Sequence, residues 1–212
     1  MKILSLVVPI VLALAALPLA SCGGGPLGTR APRPLSELPR GSLPELDATQ
    51  AIAVLPIENA TQRDLRLQSA NPLRDLPRAI GDPFAPPPAT VPDLLQRRAI
   101  VELQRRGYAV VPFDAVRAAI PHASADALSA VHAATRAGLG GYVLHGTLRR
   151  FTVTNGGLLL VRLEVALLDT AGEKLLWTGE AKRPVSIASA LTTQEVLLDA
   201  GGPIFAEAFG AR

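Results

Sequence analysis

The residues able to do chemistry are few and scattered. The 212-residue chain has one cysteine, Cys22, and three histidines, His122, His132 and His145. One cysteine excludes a disulfide framework and any cysteine-rich zinc or iron–sulfur site. The histidines fall in different elements without ligand spacing, so neither a metal nor a cofactor is expected. His145 lies in a strand-like run two residues before Thr147. A hydrogen-bonded strand histidine is a simpler reading there than a metal ligand or general base. The chain has no phosphate-loop lysine pattern, no Gly-x-Ser-x-Gly elbow and no His-Glu-x-x-His pair. Gly138-Leu-Gly-Gly141 is glycine-rich but precedes a strand pattern, which makes it a helix stop and turn rather than a phosphate cradle. The expectation is a non-enzymatic protein; a deep pocket containing His145 and a carboxylate would reopen the enzyme reading.

The basic residues raise the question of nucleic acid or anionic lipid. Arg97, Arg98, Arg105 and Arg106 cluster on one segment, but Glu102 is spaced to pair with both Arg98 and Arg106. Aromatic residues for base stacking are scarce, at 4% of the chain. A solvated helix face is therefore expected, and no nucleic-acid partner. Arg149-Arg150 reads as an exposed strand end, and Trp177 as a core tryptophan against a closing helix rather than a binding hot spot.

The elements around these residues begin with Met1-Lys2 and an apolar run to Leu19, broken by Ser5, Pro9 and Pro18. A spanning helix needs roughly 20 apolar residues, so this run is short for one and reads as a signal-peptide core, residues 1–21. Leu19-Ala20-Ser21-Cys22-Gly23 follows. It resembles the bacterial lipobox, in which the chain is cut before the cysteine and the cysteine is acylated. The alternative is an ordinary signal cut near Ala20 that leaves Cys22 free. Each buried methylene contributes about 0.8 kcal/mol, so several acyl chains on Cys22 would hold the protein on a membrane. Gly23, not Asp, follows the cysteine; by resemblance to Gram-negative sorting rules this implies the outer membrane. Thirteen of the nineteen prolines lie between Pro26 and Pro92. Residues 22–48 read as a Pro/Gly-rich tether and 49–212 as one domain, with an irregular excursion at 62–89.

Within the domain, Ala51–Ile57 is an apolar run expected as a buried strand. Thr90 should cap a helix from Val91 to about Arg106, stopped by Gly107, with Ala99, Ile100 and Leu103 inward. Tyr108–Pro112 is expected as a second strand and Asp114–Ala119 as a short helix. Ser124 is expected to cap a helix from Ala125 to about Ala137. Gly141–Thr154 and Leu158–Asp169 alternate around Asn155-Gly156, a hairpin signal. Leu159, Val161, Leu163, Val165 and Leu167 should point one way and Arg162 and Glu164 the other. Lys174–Lys182 completes a meander with Leu175 and Trp177 on the covered face. A closing helix, Ala190–Ala208, should be interrupted at Gly201-Gly202-Pro203. The order β-α-β-α-α-β-β-β-α implies an α/β (α+β) fold, a mixed sheet with helices packed on it.

Four stretches carry a family resemblance: Ile52-Ala-Val-Leu-Pro-Ile-Glu-Asn59, Leu103-Gln-Arg-Arg-Gly-Tyr-Ala-Val-Val-Pro112, Gly140-Gly-Tyr-Val-Leu-His-Gly146 and Val165-Ala-Leu-Leu-Asp-Thr-Ala-Gly-Glu-Lys-Leu-Leu-Trp-Thr-Gly179. With the lipobox, the chain resembles bacterial outer-membrane lipoproteins that share a fold with the TolB amino-terminal domain and the periplasmic domain of the curli-secretion lipoprotein. The resemblance implies a lipid-anchored module facing the periplasm or cell surface, with an envelope protein partner or self-association. Its alternatives are a homo-oligomeric secretion-type ring subunit and a contact activator of a cell-wall synthase. It transfers no catalytic residue.

Overall fold

The computed structural model describes residues 42–67, 89–139, 141–182, 184–187 and 193–210, with the backbone alone at 193–196, 198 and 199. All belong to the unit Pro34–Arg212; the other unit, Met1–Arg33, lies outside the described residues. The elements are β1 (Ile52–Val54), β2 (Glu58–Asn59), α1 (Val91–Arg105), α2 (Phe113–Ala119), α3 (Ala127–Arg136), β3 (Tyr142–Val153), β4 (Leu158–Asp169), β5 (Lys174–Ala181), β6 (Val185–Ser186) and α4 (Thr193–Ala208).

The sheet is mixed. β1 and β2 follow one another along one side of β3, both parallel to it. β4 lies antiparallel on the other side of β3, and β5 and β6 pair antiparallel with β4 beyond. The α+β expectation is met, with helices on both faces. The expected second strand contracts to a single parallel bridge, Ile52 to Val110. β1 has only three residues to offer: Ile52 N donates to the Ala109 carbonyl and Val111 N to the Ile52 carbonyl. Pro112 then has no N–H to extend the ladder, and α2 starts directly after it.

Alternation sorts the sheet residues onto two faces. The first face carries Leu144, Leu148, Leu163, Leu167 and Trp177, covered by Leu95, Ala99 and Leu103 of α1 and by Ile204 and Phe205 of α4. The second carries Ala53, Leu55, Val143 and Leu168, covered by Val116 of α2 and by Ala130, Val131 and Ala134 of α3. Each large side chain so buried contributes about 2 kcal/mol. The β4–β5 register shifts by one residue, so Leu167 faces Trp177 but Leu168 faces Leu175. This bulge places Trp177 in the first core and Leu175 against the second, on opposite faces rather than the shared one expected.

α1 begins as expected: Thr90 and Asp93 form a capping box, with Pro at the first turn. α3 starts later than expected. Asp126, not Ser124, is its cap, accepting from Ser129 N and Ser129 Oγ, both at 2.8 Å. α4 runs through Gly201-Gly202-Pro203 without the expected interruption. Pro203 removes one helix hydrogen bond, and the glycines serve packing instead: a Cβ at Gly201 would stand 2.7 Å from Arg98 Cγ. The packed residues also begin before Thr49. Leu43 is buried, its N–H donates to the Phe209 carbonyl at 3.2 Å, and Tyr108 Oη donates to the Pro44 carbonyl at 3.0 Å.

Candidate functional site

The helices α2 and α3 cover only one end of the second face. The rest is an open cleft of about 610 Å³, bordered by Asp126 and Ala127 at the α3 end and by Glu207 and Ala208 of α4. The strand register builds its floor in transverse rows. His145, Ala166 and Thr178 form the row nearest α3. Glu58, Thr147, Glu164 and Glu180 form the next, one from each of β2 to β5. Arg150 stands opposite Arg162 in the row beyond, with Arg149 in the β3 register shift beside it.

The two charged rows are stitched together. Glu164 pairs with Arg149 at 3.1 Å and Arg162 at 3.2 Å; Glu180 pairs with Arg162 at 3.0 Å and Lys182 at 3.5 Å. Thr147 Oγ1 donates to Glu58 Oε2 at 3.1 Å. The pairs are partly exposed, and such pairs contribute about 0.2–1 kcal/mol each. Their larger effect is to fix the direction of the long side chains that they join. Arg150 is exposed and has no ion pair among the described residues.

His145 does lie in this cleft, with a carboxylate near it. Its Nε2 is 3.0 Å from the Ser124 carbonyl, and since a carbonyl only accepts, Nε2 carries the hydrogen. Asp126 is occupied as the α3 cap, and hydrogen bonds from Ser129 hold its pKa below the ordinary 3.8, with a smaller contribution from His145. The histidine thus anchors the 124–126 turn onto β3, while Asp126 holds the start of α3.

The other candidates separate. His132, on α3, pairs with Glu173 in the β4–β5 turn at 3.2 Å, and His122 is exposed on a loop. Among the described residues no three metal-ligating side chains converge. Gly138 and Gly141 adopt positive φ as α3 ends and β3 begins, as a stop and turn requires. Trp177 is buried and tilted against Phe209. The arginines of α1 do not form a uniformly solvated face. Glu102 is buried and pairs with Arg105 and Arg106, while Arg98 packs on Gly201 and Gly202. The reason is α4, which lies along this side of α1. Arg106 Nη1 reaches the Phe209 and Gly210 carbonyls, holding the end of that helix. Arg97 stacks on Phe113 at 3.5 Å. Cys22 and residues 68–88 of the excursion lie outside the described residues.

Sequence reasoning misses the rows across β2 to β5. The outward Arg162 and Glu164 signal part of them, but Glu58 and Glu180 join only through register.

No protein-family profile matches the chain, and no curated protein matches it. Solved structures similar to it include the PelC dodecamer from Paraburkholderia phytofirmans, with 17% identity over 81% of this chain and 95% of that one, TM-score 0.45. Lipoprotein GNA1162 from Neisseria meningitidis is similar at 17% identity, over 74% of this chain and 98% of that one, TM-score 0.39. The LpoB C-terminal domain from Escherichia coli shows 17% identity over 65% of this chain and 82% of that one, TM-score 0.28.

Proposed function

We propose that this chain is a membrane-anchored, non-enzymatic lipoprotein, a protein-binding accessory module of cell-envelope assembly or transport. The observation that carries the reading is the open second face: a broad charged surface whose groups are held by one another in fixed directions. Such a surface suits recognition of a macromolecule, where preset side chains lower the cost of ordering on contact. The Leu19-Ala20-Ser21-Cys22 pattern supports lipidation at Cys22, and Gly23 supports the outer membrane. Ser42 lies about twenty positions beyond Cys22. A fully extended chain spans at most about 3.5 Å per residue, so the anchor would hold the domain within roughly 70 Å of the bilayer.

Two measurements test this. Cys22→Ser should release the protein from the membrane fraction and abolish incorporation of labelled fatty acid; a variant that still sediments with membranes and takes up label refutes the anchor. Cross-linking in intact cells should capture an envelope protein on the wild-type chain.

A further inference from the structure

Among the described residues, β3 keeps a stretch of edge that no strand covers. β2 pairs with Thr147 and Leu148, and Ala60 N donates to the Leu148 carbonyl at 3.0 Å. There the chain turns off the sheet. Asn59 Oδ1 accepts from Thr61 Oγ1 at 2.6 Å, Asn59 Nδ2 donates to the Arg63 carbonyl at 2.9 Å, and Gln62 takes φ +59°. A non-glycine residue in the left-handed region is uncommon, and here it marks where the strand is broken off. Past that point, among the described residues, Arg150–Val153 pairs with β4 alone, with Arg149 in the register shift before it.

The register says which groups are free. Thr154 N donates to the Leu158 carbonyl, so residues 150 and 152 direct their backbone groups to β4 while Phe151 and Val153 direct theirs outward. Unpaired strand edges are templates for an added strand. Phe151, Thr152 and Val153 are strong strand formers, and Val153 is an exposed apolar side chain, at 46%.

The surroundings define what would fit. An added strand alternates its side chains between the faces. Those on the second face would meet Arg149 and Arg150, the latter set against Arg162 with no carboxylate of its own among the described residues. Those on the first face would meet Val153. We propose that the Arg149–Val153 edge receives, by strand addition, an extended segment of a partner protein in which acidic residues alternate with apolar ones. The inference rests on the protein-binding reading above.

The test uses the full-length chain in non-ionic detergent and a short fluorescent peptide of alternating Glu and Val, read by anisotropy. The same peptide with Lys for Glu should bind at least about tenfold more weakly, and Glu-peptide binding should weaken with added salt. Val153→Pro removes an outward N–H without touching the β4 ladder, and should weaken binding at least about tenfold. Arg150→Glu provides the second variant: it relieves the contact with Arg162 and should reverse the preference towards the Lys peptide. Equal binding of the two peptides, or Glu-peptide binding unchanged by both variants, overturns the proposal. A cellular partner that cross-links equally to wild type and both variants overturns it too, while leaving the accessory reading intact. A wild-type chain that cross-links to no protein overturns that reading, and this proposal with it.

Discussion

At Gly179 a single Cβ would overlap the Ala208 carbonyl and the Trp177 ring, and neither neighbour can retreat, because both are buried where α4 meets β5. Gly179→Ala should therefore destabilise the fold by about 3 kcal/mol, read as a lower urea midpoint with an unchanged slope. Asp126 makes a prediction of a different kind. Its folded pKa lies below the ordinary 3.8, so its cap contributes fully above that pH and is lost as pH falls through the lower folded value. Asp126→Asn keeps an acceptor but cannot titrate. The stability gap between wild type and variant should thus shrink in acid; a gap independent of pH would show that the carboxylate charge plays no part. These residues differ in how far the sequence exposes them. Asp126 sits three before Ser129, a local capping pattern, but Ser124 offers a competing cap just upstream. Gly179 needs the position of α4, which no local pattern contains.

Among the elements, α1 is legible because its signals are local: Thr90 and Asp93 at one end, Gly107 with φ +88° at the other. Thr90→Ala should cost about 1 kcal/mol, measured by chemical unfolding. The β3–β4 hairpin is legible for the same reason, through alternation and Asn155-Gly156. What escapes is long-range. Val110 forms one bridge because β1 is short, and Leu175 changes face because β5 carries an extra residue opposite Leu167 and Leu168. α4 continues through Pro203, and Arg98 of α1 fits over its two glycines. In each case helix and strand grammar holds locally, and a partner distant in sequence decides the outcome. The charged rows of the second face belong here too: each member is an ordinary strand residue until four strands align.

At the scale of the whole molecule, the two helix layers are unequal. α1 and α4 cover the first face along its length, while α2 and α3 cover one end of the second and leave its charged rows open. The described amino-terminal residues are fastened to the carboxyl-terminal helix through Leu43, Phe209 and Arg106. Leu43→Ala should cost about 2 kcal/mol, and amide exchange should accelerate at the end of α4 as well as at residue 43. Faster exchange at residue 43 alone would show that the two ends are not coupled.

That fastening has a bearing on how the protein comes into being. A chain that emerges amino terminus first carries Leu43 out well before Phe209. β1 likewise waits for β3 before it gains a strand partner beyond its single bridge to Val110. Contacts between such remote positions form slowly, since the loop they close is nearly the whole domain. α4 is therefore the step that completes the first core, and a chain halted before α4 would show the apolar face of its sheet to whatever escorts it.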